Sequence, residues 1–261
     1  MKCYLDLLRH VLENGKIKDN RTGIRTISLF GGQIRIDLEN GFPILTTKKV
    51  FYRAAIEETL FFIKGLNNNK YLKEKGINIW NEWEKENGDL GPIYGVQWRK
   101  WGGNIDQLSG VINEIKINPD SRRLVVSAWN PEDIDKMALP PCHTLYQFYV
   151  SEGKLSCHLY QRSADLFLGV PFNIVGYAFL THVIAHLCGL GVGDLVVSYG
   201  DMHIYENHIE VVKQQLEREP LQLSRLYLNF SEDTSLSDIE YNNVRVQNYT
   251  SYGTLTGEVA V

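Results

Sequence analysis

The sequence predicts an α+β fold, one domain over residues 1–261, built on a mixed or mostly antiparallel sheet covered by helices. Three observations carry that reading. Segments with the apolar period of a helix are interspersed with Tyr-, Val- and Phe-rich segments of strand character. No Pro/Ser linker, low-complexity run or internal repeat divides the chain. Hydrophobic residues make up 44% of the 261 and charged residues 22%, enough apolar material for a sizeable core and too much for intrinsic disorder.

The elements follow in order. Residues 3–14 place Leu5, Leu8, Val11 and Leu12 at helical spacing. Asn20-Arg21-Thr22-Gly23 is a turn, and Thr26 to Leu38 then alternates around Gly31-Gly32, as a bent strand pair or a bulged strand does. Tyr52 to Lys64 is a buried helix stopped by Gly65. Leu66 to Asn69 turns into a short helix ending near Lys75. Residues 80–101 are rich in Trp, Gly and acidic side chains without clean periodicity, an aromatic loop of the kind that often carries function. Asn104 to Lys116 is helical. Arg123–Trp129, Thr144–Val150, Lys154–Gln161 and Asp194–Ser198 are strand-like. Ile174 to Leu187 is a mostly apolar helix, His208 to Arg218 an amphipathic one ending near Pro220, and short strands and a tail complete the chain.

Composition narrows the partners. Lys plus Arg is 27 and Asp plus Glu 31, a net charge of −4, so no basic excess announces a nucleic-acid binder. The longest purely apolar runs, such as Gly176 to Leu180, fall far short of the roughly 18 residues of a membrane span. A charge at Lys2 and another at Asp6 come too early for a secretory leader, and the expected home is the reducing cytoplasm. The four cysteines (Cys3, Cys142, Cys157 and Cys188) show neither a CxxC nor a pairing pattern, so neither a disulfide framework nor a zinc ribbon is expected.

Chemistry concentrates in a few segments. Cys142 follows Pro140-Pro141 on a stiff backbone at the start of a strand, where a thiol of lowered pKa can serve as a nucleophile. On position alone, a small buried core residue is the better reading. Gln161-Arg162-Ser163-Ala164-Asp165 sets a guanidinium, a hydroxyl and a carboxylate at a strand end. The guanidinium can hold a phosphate and favour a nearby thiolate, although on its own a surface ion pair is the better reading. Asn173 is either a helix N-cap or an amide that reads a base edge. His203 and Tyr205 share one face of an extended segment and can bind sugar hydroxyls. The i, i+5 spacing of His203 and His208 fits neither helical nor strand ligand pairs, so no metal is expected. Arg122-Arg123 is a further basic pair beside a strand, its plain reading a solvated edge.

Together these segments resemble thymidylate synthase over nearly the whole chain. The resemblance rests on Asp19-Asn20-Arg21-Thr22-Gly23, Gly41-Phe42-Pro43, Thr46-Thr47-Lys48, Ile79-Trp80-Asn81-Glu82-Trp83, Gly91-Pro92-Ile93-Tyr94-Gly95, Asp120-Ser121-Arg122-Arg123, Pro141-Cys142-His143, Gln161-Arg162-Ser163, Gly169-Val170-Pro171-Phe172-Asn173 and Gly200-Asp201-Met202-His203-Ile204-Tyr205. Each is weak alone, and their joint order and spacing are specific. The resemblance implies a homodimer, joined through a sheet face, that methylates dUMP to dTMP. Its carbon donor and reductant is 5,10-methylenetetrahydrofolate, which leaves as dihydrofolate.

By the same resemblance the catalytic set is Cys142, Glu58, Tyr94, His143, Arg162, Asp165 and Asn173. Cys142 adds to pyrimidine carbon 6 and makes carbon 5 nucleophilic. Glu58, with ordered water and His143, serves the carbonyl on carbon 4, and Tyr94 assists removal of the carbon 5 proton. Arg21 and Arg162 of one subunit and Arg122 and Arg123 of the other clamp the phosphate. Gln161, Ser163, Ala164 and Asp165 complete the nucleotide site, Asn173 reads uracil, and His203 and Tyr205, with Ile204 between them, hold the 3′-hydroxyl. Folate lies against Phe51, Ile79, Trp80, Trp83, Leu139, Gly169 and Phe172, with Asp165 on the pterin, Lys48 near the glutamate tail and Ala260 in a closing C-terminal segment.

Departures border these sites. Tyr249-Thr250-Ser251-Tyr252-Gly253-Thr254-Leu255-Thr256 replaces the usual Pro-His-Pro and Lys of the tail, so the lid is expected to close differently. Asn81 stands where Asp is common, Gly176 where a small polar residue is common, and Phe51 where some members have His. The alternative activity is a dUMP or dCMP hydroxymethylase of the same superfamily, which ends the reaction with water in place of hydride. Trp80, the tail and Asn173 favour hydride transfer to a uracil nucleotide. RNA binding through the arginine clefts is a secondary reading.

Overall fold

The computed structural model describes residues 1–258. The expectation placed on Val259, Ala260 and Val261, including a folate role for Ala260, lies outside the described residues. Helix α1 (Lys2–Asn14) buries Tyr4, Leu5, Leu7, Leu8 and Val11, the face its spacing predicts. Strand β1 (Lys16–Lys18) is three exposed residues paired with β2 (Thr26–Asp37), and it has no sequence signal of its own. β2 is one continuous strand. It keeps a single register from Phe30 opposite Asp201 to Gly32 opposite Tyr199, so the Gly31-Gly32 break is neither a strand pair nor a bulge.

Helix α2 (Tyr52–Ile63) ends as expected ahead of Gly65, whose φ of +71° only glycine adopts freely. Helix α3 (Lys70–Glu74) follows. The aromatic loop holds an unpredicted helix, α4 (Tyr94–Lys100). Its second residue, Gly95, disfavours helix, but a Cβ there would lie 2.9–3.1 Å from the Leu66 and Phe62 backbone. Close packing on the end of α2 therefore decides the conformation. Helix α5 (Gln107–Ile117) is N-capped by Asp106, which accepts from Ser109 N at 2.9 Å.

The remaining elements are β3 (Val125–Ser127), β4 (His143–Ser151), β5 (Lys154–Asp165), α6 (Gly169–Leu187), β6 (Gly191–Tyr205), α7 (Ile209–Leu216), β7 (Arg225–Leu228) and β8 (Val244–Gln247). Six strands form a mixed sheet in the order β1-β2-β6-β5-β4-β3. β5 and β6 are parallel across α6 and the other pairs antiparallel, while β7 and β8 make a separate ribbon. α6 is long and apolar enough to cross a membrane by composition, but most of it is buried inside the fold, as a core helix is. On the opposite face of the sheet Val125, Leu145, Tyr149 and Tyr160 are exposed.

Candidate active site

β6 runs seven residues past its predicted end, and that extension builds one wall of the site. Asp201, His203 and Tyr205 fall on alternate positions of the strand and line a cavity of ≈ 310 Å³ with Lys18, Arg21, Leu139, Pro140, Cys142, Arg162 and Ser163. Sequence reasoning missed Lys18 and Asp201 as site residues. Lys18 Nζ lies 2.8 Å from one Asp201 oxygen, while the other accepts from Ser28 Oγ at 2.9 Å and faces His203 Nδ1 at 3.1 Å. Those partners, His203 foremost, hold the Asp201 carboxyl well below the usual carboxylate range. The legible signal was its i, i+2 spacing from His203.

Cys142 leaves the Pro140-Pro141 segment with its main chain fixed on both sides. Its N–H donates to Tyr94 Oη at 2.8 Å, and its carbonyl accepts from Arg162 N at 2.9 Å. Arg162 uses Nε on Pro141 O (2.8 Å) and Nη2 on Pro140 O (3.0 Å), and its guanidinium lies 5.5 Å from the centre of the Trp129 ring. Burial pushes the Cys142 thiol above its usual pKa, and the Arg162 and Arg21 guanidiniums pull it back down. The expected lowering by Arg162 is present, but burial outweighs it.

Behind Cys142, His143 turns to the other side of the strand. It lines a small inner chamber of ≈ 10 Å³ with Glu58, Thr59, Trp98, Asn173, Gly176 and Tyr177 among others. That is room for about one water, and the lining is polar enough to hold it. Burial drives the His143 imidazole down to about 4, so it is neutral at neutral pH. Burial raises the Glu58 carboxyl to about 7, against the opposing pull of the Trp80 indole N–H, which donates to Glu58 Oε1 at 2.7 Å. Tyr94, buried against Phe62, Trp80 and His143, has its phenol raised well above the usual range by burial first.

Asn173 lies inside the second turn of α6 and is not its N-cap. Gln161 Nε2 donates to Asn173 Oδ1 at 2.9 Å and to Ser163 O at 3.1 Å. Gln161 is 2% exposed, so it fixes the Asn173 amide from beneath and does not itself line the cavity. Ala164 and Ile204 bury their side chains completely and can offer a ligand only main chain. Asp165 Oδ1 accepts from Phe167 N (2.9 Å) and Leu168 N (3.1 Å) and shapes the turn into α6. Arg122 and Arg123 are exposed just before β3, outside the cavity of their own chain.

The residues assigned to folate are spread around this centre. Trp80 is buried with Trp83 edge-on at 6.0 Å, Ile79 and Leu139 are half-buried, Gly169 opens α6, and Phe172 lines the inner chamber. Phe51 is exposed, with the Lys49 ammonium 5.6 Å from its ring centre. Lys48 is buried. Its ammonium donates to Phe167 O and sits 3.6 Å from the centre of the Phe167 ring, and burial lowers it to about 8 while Asp165 pulls it up. Two of the departures have local explanations. Asn81 Oδ1 accepts from the buried Asn69 Nδ2 at 3.0 Å, a role an amide oxygen fills without charge. A Cβ at Gly176 would meet Thr59 Oγ1 at 2.9 Å, so a hydroxyl from α2 occupies the contact that a polar residue on α6 would otherwise make. Among the described residues no three His, Cys, Asp or Glu side chains converge as a metal site.

The family model described as thymidylate synthase matches residues 2–261, essentially the whole chain, and the protein belongs to that family. Its members are transferases that use methylenetetrahydrofolate.

Proposed function

We propose that this protein is a thymidylate synthase, converting dUMP and 5,10-methylenetetrahydrofolate to dTMP and dihydrofolate through a covalent Cys142 adduct at pyrimidine carbon 6. The observation that carries the reading is the convergence on one cavity of the Cys142 thiol, Arg21 and Arg162, and the His203–Tyr205 pair, with the Asn173 amide and Glu58 behind it. A phosphate fits the two guanidiniums. A ribose hydroxyl fits His203 and Tyr205. Uracil, with a carbonyl on carbon 4 and an N–H at ring nitrogen 3, suits an amide that donates through Nδ2 and accepts at Oδ1, the orientation Gln161 holds.

Each group then has one task. Cys142 adds as thiolate, and a bound nucleotide that excludes bulk water keeps Arg162 and Arg21 as its charge partners. Glu58, poised near 7, can hold or release a proton toward the carbonyl on carbon 4. His143 stays neutral and supports that network through Asn173. Tyr94, kept protonated, anchors the Cys142 main chain and assists as the carbon 5 proton leaves. The folate supplies the carbon and the hydride. Trp80, Trp83, Leu139, Phe172 and Asp165 would hold it and exclude water from the step that separates methylation from hydroxymethylation.

The active unit in this reading is a homodimer in the cytoplasm. Val125, Leu145, Tyr149 and Tyr160 expose an apolar sheet face suited to a second copy, and Arg122 and Arg123 are exposed outside their own cavity, which supports their serving a neighbour's. RNA binding is a secondary reading of the same arginines. The test is incubation with dUMP and methylenetetrahydrofolate, with the nucleotide identified by mass and dihydrofolate followed by absorbance. A hydroxymethylated nucleotide without dihydrofolate would replace this reading with the hydroxymethylase.

A further inference from the structure

The atypical C-terminal tail is pinned to the body at both ends of its course. Tyr249 Oη donates to Leu45 O at 3.0 Å and accepts from Val50 N at 2.8 Å, and Tyr252 N donates to Thr46 O at 2.8 Å. Arg218, just past α7, donates through Nη1 to Thr47 O (2.8 Å) and to Gly253 O (3.1 Å), with its guanidinium 5.4 Å from the centre of the Tyr252 ring. One cation thus bridges carbonyls from two segments and stacks on an aromatic beside them. Further on, His208 Nε2 donates to Glu258 O at 2.8 Å. A Cβ on Gly257 would lie 2.6 Å from that nitrogen and 3.1 Å from the Phe167 ring. His208 is fully buried and has no room to retreat.

These pins converge on two places. One is the segment 45–50, which carries Lys48. The other is Phe167, whose carbonyl accepts from Lys48 and whose N–H is held by Asp165. We propose that Arg218 and His208 are positioning residues that strap residues 252–258 to the body and thereby fix Lys48 and Asp165 for the folate. The assignment of the folate rests on the function proposed above, whereas the strap itself does not.

The test compares full-length wild type with Arg218→Ala, Arg218→Lys and Gly257→Ala, each first shown to keep the wild-type near-ultraviolet circular dichroism. Carboxypeptidase release of the C-terminal residues, measured without substrate, is expected to accelerate about tenfold in Arg218→Ala and Gly257→Ala. In Arg218→Lys, which keeps the charge but loses the planar stack, it should be intermediate. The KM for methylenetetrahydrofolate should rise by about tenfold while dUMP affinity, measured by equilibrium dialysis, stays within about twofold. Unchanged release in both variants would overturn the strap. Faster release with an unchanged folate KM would overturn its link to Lys48 and Asp165. If wild type makes no dTMP while release still responds to Arg218, the proposed reaction fails and the strap stands.

Discussion

Replacing Glu58 by Gln should make the protein inactive and, in alkaline solution, more stable. The carboxyl is raised from 4.5 to about 7, burial being the main cause. A raised acid binds its proton more tightly folded than unfolded, so its contribution to stability is complete below 4.5 and is lost as pH rises through 7. Each pKa unit is worth about 1.4 kcal/mol, so between pH 5 and pH 8.5 the wild type should lose roughly 2–3 kcal/mol through this one group. The amide of the Glu58→Gln variant does not titrate, and its oxygen can still accept from Trp80 Nε1. The assay is urea unfolding of both proteins at pH 5 and 8.5 at one fixed protein concentration, because the proposed dimer would couple stability to concentration. The variant should gain on the wild type by that amount at the higher pH. A stability difference that does not change with pH would refute the argument that burial holds the proton on Glu58.

Cys142→Ser should abolish product formation, while Cys3→Ser and Cys188→Ser leave it near wild type; assay of the three variants on dUMP checks this. Arg122→Ala and Cys142→Ser homodimers, each inactive, should regain activity when subunits are exchanged, because a hybrid holds one intact site; no recovery after proven exchange would place Arg122 elsewhere. The wild type should prefer dUMP to dCMP by about ten- to hundredfold, from roughly 1–3 kcal/mol of mismatched buried polar groups. Asn173→Asp should narrow or reverse that preference, and Gln161→Ala, which frees the Asn173 amide to flip, should narrow it in competition assays with both nucleotides.

What the sequence made legible was whatever is written locally. α1 and α2 have apolar spacing, β4 has Tyr, Phe and Val in a strand-like run, and β5 alternates Leu155, Cys157 and Leu159 with polar residues. The two prolines before Cys142 mark a stiff backbone but leave a core thiol the better reading until the resemblance is added. α4 was hidden because Gly95 answers to the backbone of α2, not to helix propensity. The last seven residues of β6 were legible as extended chain around His203 but not as part of the strand, because that membership comes from pairing with β2 and β5. Within the site, Lys18 and Asp201 meet across 183 residues, and Gln161 and Asn173 meet between a strand and a helix; neither pairing leaves a periodic trace. Glu58 was identified only through family resemblance, since the adjacent Glu57-Glu58 pair in α2 does not reveal which of the two Trp80 will meet.

The division of labour between Cys142 and His143 depends on one irregularity. Along β4, Thr144, Tyr146 and Phe148 are buried and Leu145, Gln147 and Tyr149 exposed, so simple alternation would send His143 outward. The pairing with β5 slips between His143, opposite Gln161, and Leu145, opposite Tyr160, leaving Thr144 as the extra residue. Its hydroxyl donates to Tyr160 O at 3.2 Å and its carbonyl accepts from Ala128 N at 2.8 Å, so the bulge is tied from both sides. A one-residue slip exchanges the two faces of a strand. Here it turns His143 inward, to the side where ordinary alternation along β5 already buries Gln161, and leaves Cys142 with Arg162 on the cavity side. Cys142 just ahead of β4 and His143 at its start, with Arg162 and Gln161 beside each other on β5, thus serve opposite sides, and the bulge at Thr144 sets which of Cys142 and His143 faces the cavity.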